Sequence, residues 1–362
     1  MNAQTEFTTV SEWIEQNAAY LLGRGERCVP DEASTSAVRG KTVLITGGGG
    51  SIGSELCMQC AAFGAGKIII LDVNENNAFA IRERLAADHP GQCAQVEIAS
   101  VRDAGRLRRI FAKHRPALVI HAAAHKHVPL METAAAEAVK NNIFGTVNAA
   151  DAAEEWGAEG FVLISTDKAV MPTSVMGATK RFCEYIMASR ADSPTKFSAV
   201  RFGNVLGSAG SVVPSFIRAI KHGEVIRITD ARVERYFMTI PEAARLVLCA
   251  SAMAEQGDIH VLDMGEPIPI LTLAERLGEL LGISPRIEIT ALRPGEKLRE
   301  KLFYGDPAAT DSPLILRERP PVMNRTGIAD RLRLLADAGD DDDAAMAALR
   351  EAVTEYQKEV LQ

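Results

Sequence analysis

The chain is expected to fold as an α/β protein, a doubly wound parallel sheet with a smaller α/β domain attached. Three observations lead there. Short apolar runs rich in β-branched residues recur at Lys41–Thr46, Lys67–Leu71, Ala117–His121 and Phe161–Ile164, as strands buried on both faces require. Stretches with helical apolar spacing separate them, the alternation that joins parallel strands through crossover helices. A glycine-rich run, Gly47-Gly48-Gly49-Gly50-Ser51-Ile52-Gly53, stands between the first strand and the helix that follows it.

Bulk properties narrow the class. With 362 residues, 47% hydrophobic and 24% charged, the chain has room for one large or two modest soluble domains. A net charge of -7 argues against a nucleic-acid partner. The longest apolar runs are strand-sized, so no membrane span is expected. Met1–Phe7 lacks the basic region and apolar core of a signal peptide. The six cysteines show no framework spacing, which suits a reducing compartment, so a cytoplasmic location is expected. Cys57 and Cys60 fall inside a helical pattern and read as packed thiols. His125 and His127 have no acidic companion, so no metal site is predicted.

Taken in order, Ser11–Leu22 reads as one amphipathic helix capped by Ser11 and packed on the main body. Pro30–Ser36 reads as a linker. After the strand Lys41–Thr46 come the glycines, and then apolar residues at Ile52, Leu56, Cys60 and Phe63 keep helical spacing until Gly64. A glycine turn ahead of a helix lets the backbone approach a pyrophosphate, and the helix N-terminus supplies free N–H groups. Gly47, Gly50, Ser51, Ile52 and Gly53 are therefore candidate dinucleotide contacts. The next strand ends on Asp72, about 20 residues on, where an acid binds the adenosine ribose. No arginine follows to greet a 2′-phosphate, so NAD is expected rather than NADP. Asn74–Ala87 should be a helix, and Gln95–Ile98 a strand. Ala122-Ala123-Ala124, after the strand ending at His121, would let a cofactor lie on the backbone; close helix packing is the alternative. Lys126 reads as an anion or sugar contact. Asn141–Thr146 belongs to a helix bracing the active-site strand.

The central strand, Phe161–Ile164, releases Ser165-Thr166-Asp167-Lys168-Ala169-Val170 at the sheet end where ligands bind. Met176 and Lys180, four apart on a helix starting near Gly177, face the same mouth. Lys196–Arg201 is another strand. Beyond it the pattern loosens, punctuated by Arg227, Arg235, Arg293, Glu296 and Lys297, and arginine forks of this kind suit a diphosphate. The acidic cluster Asp340–Asp343 precedes a last helix, Ala344–Gln357.

Six motifs together resemble one family. They are Thr46–Glu55, His127-Val128-Pro129-Leu130-Met131-Glu132, Ser165–Val170, Arg201-Phe202-Gly203-Asn204-Val205, Arg235-Tyr236-Phe237-Met238-Thr239 and Arg293-Pro294-Gly295-Glu296-Lys297. The chain is similar, from about Leu21 to Pro320, to the extended short-chain dehydrogenase/reductases that act on nucleotide sugars. Within them it resembles the bacterial UDP-N-acetylglucosamine 4,6-dehydratases of polysaccharide biosynthesis. One departure stands out. Most relatives carry Tyr-x-x-x-Lys, and this chain has Met176-Gly177-Ala178-Thr179-Lys180. A thioether cannot move the sugar hydroxyl proton. The large membrane-anchored branch of these dehydratases carries the same methionine, and this chain looks like its catalytic part.

The resemblance implies a Rossmann domain over 38–204 and 239–263, a nucleotide-sugar domain over 205–238 and 264–321, a lead segment 1–37 and a helical extension 322–362. It implies NAD held also by Ser100, Val101, Asn141 and Lys180. It implies Thr166, Asp167, Lys168, Met176 and Lys180 at the reacting carbons, with Lys168 the candidate base and Asp167 the acid, or the reverse. It places Lys126, His127, Asn204, Val212, Arg227, Arg235, Met238, Arg293 and Glu296 on a UDP-N-acetylhexosamine. A homodimer is expected. The rivals are a 4,6-dehydratase that inverts carbon 5, a nucleotide-sugar 4-epimerase, and a non-enzymatic NAD-binding sensor or scaffold.

Overall fold

In the computed structural model, residues 9–27, 31–293, 295–320 and 323–356 are described. Met1–Phe7, Pro30, Pro294 and Gln357, on which some of the expectations above fall, lie outside them.

A sheet of nine strands organises the molecule. Its strands are β1 Thr42–Thr46, β2 Lys67–Asp72, β3 Ala94–Ile98, β4 Leu118–His121, β5 Gly160–Ile164, β6 Lys196–Arg201, β7 Ile259–Leu262, β8 Ala308–Ala309 and β9 Ile315–Glu318. Their spatial order is β8-β9-β7-β6-β5-β4-β1-β2-β3. From β7 to β3 every pairing is parallel, and β9 and β8 add an antiparallel edge. The order reverses between β1 and β4, the crevice where open α/β sheets bind ligands.

The period-two geometry of a strand explains why these segments read as unbroken apolar runs. Leu44, Ile69, Val119, Phe161 and Leu163 enter one core, while Val43, Ile45, Ile68, Ile70, Ile120 and Val162 enter another on the opposite face. The helices Ser51–Ala62 and Ile240–Met253 cover the second face, and Ala104–His114, Gly145–Glu155 and Val175–Ala188 the first. A third core joins the helices Val212–His222 and Ile270–Leu281 to the parallel strand pair Val225–Ile228 and Arg286–Ile289.

Several elements depart from expectation. The lead helix is two helices, Val10–Gln16 and Ala18–Leu22, broken at Asn17. Asn17 donates its side-chain amide to the Trp13 carbonyl, which competes with helix continuation. Thr9, in a capping box with Glu12, takes the role expected of Ser11. The segment packs on the body as anticipated, with Ile14, Leu21 and Leu22 in the third core. The expected linker is mostly a helix, Asp31–Val38. Its small residues let it lie close to Ile240–Met253, with Ser34 Oγ donating to the Arg245 carbonyl at 3.3 Å and Val38 in the core. The helix carrying Met176 begins at Val175, capped by Ser174. At the C-terminal end, Arg325–Asp337 is an additional helix. The acidic cluster starts the last one, Asp342–Ala352, through the Asp341 cap, and the helix ends before the expected Gln357.

Candidate active site

A cleft of about 680 Å³ opens at the carboxyl ends of β1, β2, β4, β5 and β6. Its floor is the glycine loop. Gly47 has φ +65°, and a Cβ there would stand 2.8 Å from the Ala123 nitrogen. A Cβ on Gly53 would meet the Gly47 carbonyl oxygen at 2.1 Å, so no larger residue fits either position. Gly50 caps the helix Ser51–Ala62 without a side-chain hydrogen bond, leaving the first N–H groups free for an anion. Asp72 is fixed at the tip of β2, accepting from the Gly49 N–H and the Asn74 N–H, each at 2.8 Å.

Gly47, Gly50, Ser51, Ile52, Gly53, Asp72, Ser100, Val101, Ala122, Ala123, Ala124, Asn141 and Lys180 all line this cleft. The bracing of the β4 end comes from the neighbour of Asn141. Asn142 accepts from the His125 N–H at 2.8 Å and donates to the His125 carbonyl and to Thr179 Oγ1, each at 3.0 Å.

At the reacting end, β5 delivers Thr166 and Lys168 to the cleft, opposite Met176 and Lys180. Gly177 makes this possible, because a Cβ there would sit 2.3 Å from the Lys168 carbonyl oxygen. The helix can therefore press directly on the turn that carries Lys168. Asp167 is absent from the cleft wall and wholly buried. Thr166 Oγ1 donates to Asp167 Oδ1 at 2.8 Å, and Lys168 Nζ reaches the same oxygen at 3.0 Å. Asp167 Oδ2 has no hydrogen-bond partner among the described residues. Ser165 is structural: its hydroxyl donates to Glu184, which also pairs with Arg201 and Arg181 in a buried network.

Two lysines have opposite electrostatics. Burial opposes charge on Lys168, but Asp167 and Glu300 outweigh it and hold the ammonium above its ordinary range. Burial pushes Lys180 down, with Cys183 and Glu184 only partly offsetting it. Lys180 has no hydrogen-bond or ion-pair partner among the described residues, so its ammonium is available to a ligand.

On the substrate side the structure brings together Lys126, His127, Asn204 and Val212. Asn204 Oδ1 accepts from Lys168 at 3.4 Å. The other expected contacts do not line the cleft. Met238 is fully buried in the second core, and its neighbour Phe237 faces the cleft instead. Arg227 is exposed on Val225–Ile228 and paired with Glu288 at 3.2 Å. Arg235 is held by the Glu234 and Leu298 carbonyls, and stands 3.6 Å from Glu296. Arg293 is exposed, and its N–H donates to Glu296. Glu300 was not anticipated. Buried, with Oε1 3.6 Å from Lys168 Nζ, it follows Glu296-Lys297 by one helical turn of sequence, a spacing that signals little without the fold. Among the described residues no cluster could hold a metal, and no helix is long and apolar enough to cross a membrane.

Known proteins resemble this chain in sequence and fold. The polysaccharide biosynthesis protein family matches residues 43–316. The probable polysaccharide biosynthesis protein EpsC of Bacillus subtilis is 49% identical over 82% of the chain and 50% of its own length. The chain thus spans about half the length of that relative. The inverting UDP-N-acetylglucosamine 4,6-dehydratase of Campylobacter jejuni strain 81-176 is 34% identical over 74% of this chain and 78% of its own. A UDP-glucose 4-epimerase of Rickettsia canadensis is also 34% identical, over 74% and 79%. The crystal structure of Pen from Bacillus thuringiensis superposes with a TM-score of 0.72 at 32% identity, covering 79% of this chain and 92% of that one. With its pattern matched across the sheet, the cleft and the smaller unit, the chain belongs to the polysaccharide biosynthesis protein family, on an extended short-chain dehydrogenase/reductase fold.

Proposed function

We propose that the chain binds NAD along the glycine loop and removes water across carbons 5 and 6 of UDP-N-acetylglucosamine, yielding a 4-keto-6-deoxy sugar nucleotide with carbon 5 retained. The observation that carries this reading is that Thr166 and Lys168, at the cleft wall, are both hydrogen-bonded to the buried Asp167 behind them, an acid–base pair that oxidation at carbon 4 alone would not need. The glycine loop fits a dinucleotide pyrophosphate, since the N-terminus of the helix Ser51–Ala62 has no side-chain cap and opens on the cleft, and Asp72 fits the adenosine ribose. When bound, NAD would supply the oxidation at carbon 4 and the matching reduction at carbon 6, with no net consumption.

The residues then divide the proton work. Thr166 hydrogen-bonds the carbon 4 hydroxyl. Lys180, unpartnered and desolvated, holds the nicotinamide ribose and favours loss of the hydroxyl proton through its charge. Met176 holds no proton, so that proton leaves through Thr166 or solvent. Lys168 and Asp167 rest as an ion pair. Passing one proton across their 3.0 Å hydrogen bond gives a neutral amine and a carboxylic acid, the base for carbon 5 and the acid for the departing carbon 6 hydroxyl. Closure over substrate favours this exchange, because expelling water penalises the charged pair more than the neutral one.

The test is turnover of UDP-N-acetylglucosamine with NAD in heavy water, followed by mass spectrometry and proton NMR. Loss of one water, a 6-methyl signal and deuterium at carbon 5 are expected, with ring couplings reporting retention. A galacto-configured product with intact oxygen at carbon 6 would identify an epimerase and sink the reading. Soluble function in the cytoplasm as a homodimer completes the proposal; sedimentation of the purified chain tests the dimer.

A further inference from the structure

We infer that Glu300 is a positioning residue: buried behind Lys168, it holds the Lys168 ammonium between two carboxylates and so sets the pH at which Lys168 gives up its proton. The role is argued on the acid–base reading of Lys168 given above, but its geometry is independent of the substrate.

Glu300 is buried, with its side chain 5% exposed. Desolvating a carboxylate is costly unless cations answer it. Two do. Lys168 Nζ lies 3.6 Å from Oε1, and Lys297 Nζ lies 3.4 Å from Oε2. The segment is pinned to the catalytic turn at three further points. Lys297 donates to the Val170 carbonyl at 2.9 Å, Tyr304 Oη to the Ala169 carbonyl at 3.2 Å, and the Met171 N–H to Tyr304 Oη at 2.8 Å. Glu300 is therefore held where it is, on a chain segment remote in sequence from Lys168.

The charges facing Lys168 are few. Asp167 stands on its own turn and Glu300 on the opposing segment; Arg235 opposes them from the strand Glu234–Arg235, with Lys297 beyond Glu300. Asn204 Oδ1 adds a neutral contact to the ammonium, and Thr166 Oγ1 accepts from the Lys168 backbone N–H. Removing Glu300's charge leaves Asp167 to face Arg235 and Lys297 alone. The amine should then deprotonate more readily.

The experiment needs no substrate. The full chain is pulsed with trace acetic anhydride across a pH series, and acetylation of the Lys168 peptide is followed by mass spectrometry, with turnover measured in parallel. Glu300→Gln should move the Lys168 labelling midpoint down by roughly one pH unit, and Glu300→Asp, which keeps the charge, should restore most of it. Lys297→Met, which frees Glu300 to act on Lys168 alone, should move the midpoint up, and this variant carries the test if Glu300→Gln does not fold. An unmoved midpoint in the variant that carries the test overturns the inference, as does Glu300→Asp behaving like Glu300→Gln. If the midpoint moves as expected while the wild-type chain makes no 4-keto product, the inference stands and the proposed function falls.

Discussion

An ammonium held between carboxylates is a poor base until it is discharged, and under the proposed mechanism the discharge path is a single hydrogen bond. Asp167→Asn breaks that path while keeping shape, and Lys168→Met removes the amine. Both variants should retain NAD by calorimetry yet lose at least about 100-fold in product formation, the lower range for a proton-transfer residue. Near-normal turnover in either would remove the pair from the mechanism. Met176→Tyr should stay active, since the methionine lines the cleft beside Lys180 at a position where a phenol could serve; complete loss would mean that the thioether packs directly on the sugar. His121 gives a separate reading of pH. Burial, reinforced by the Lys180 charge, lowers it to about 3, and its ring lies between Thr46 Oγ1 at 2.8 Å and Thr146 Oγ1 at 3.1 Å. Because the folded value lies below the unfolded one, its contribution to stability is complete above about pH 6.5 and is lost as pH falls toward 3. The midpoint of urea unfolding should therefore fall between pH 7 and 4, and His121→Asn should flatten that dependence.

At the scale of elements, legibility followed burial. Strands β1, β2, β4 and β5 could be read because both faces are apolar. The glycine loop could be read because a strand precedes it and a helix follows. That reading has a sharp consequence: Gly53→Ala places a methyl group 2.1 Å from the Gly47 carbonyl oxygen, so the loop must open. The variant should elute without dinucleotide, judged by the absorbance ratio at 260 and 280 nm, while its circular dichroism stays native. The helix Asp31–Val38 escaped because its alanines and serines look like a linker until a partner helix is known. The paired strands Asn204–Val205 and Phe237–Met238 are too short for any periodicity to register. The site divided in the same way. Residues at a strand end, such as Thr166 and Lys168, could be named from their strand; the burial of Asp167 and the arrival of Glu300 depend on tertiary packing. The last helix shows packing at its strongest. It packs against Val175–Ala188, in which every residue from Val175 to Met187 is buried, and Glu355 beyond it pairs with Arg181 at 3.0 Å. Pairing of two chains through that helix would have to displace Asp342–Ala352. Ending the chain at Pro320 should lower the melting temperature by several degrees and weaken turnover, since Met176 and Lys180 ride on the uncovered helix; an unchanged melting temperature would make the extension dispensable.

Across the whole molecule, the sheet and the smaller unit meet over the cofactor cleft, and one loop crosses between them. The Ala209 N–H donates to Ser51 Oγ at 3.0 Å, at the start of the glycine-loop helix. The Ala209 carbonyl accepts from Lys126 Nζ at 2.8 Å, beyond the end of β4. Gly210, at φ +69°, lies so close to the His127 ring that a Cβ would stand 2.6 Å from it. The loop, whose Ser208–Ser211 line the cleft, thus ties the start of the glycine-loop helix to the segment beyond β4. A reaction that borrows an electron pair and returns it in the same turnover gains nothing from cofactor exchange and is stalled by it. A strap that slows dissociation suits that chemistry. Lys126→Met removes one of its two anchors, worth about 1 kcal/mol, or roughly a fivefold rise in the NAD release rate. Release is followed by chasing bound NAD with a fluorescent analogue in the absence of sugar nucleotide, so a loss of substrate contact cannot mimic the effect. An unchanged release rate would mean that the loop belongs to the sugar site alone, with retention of the dinucleotide resting on the glycine loop and Asp72.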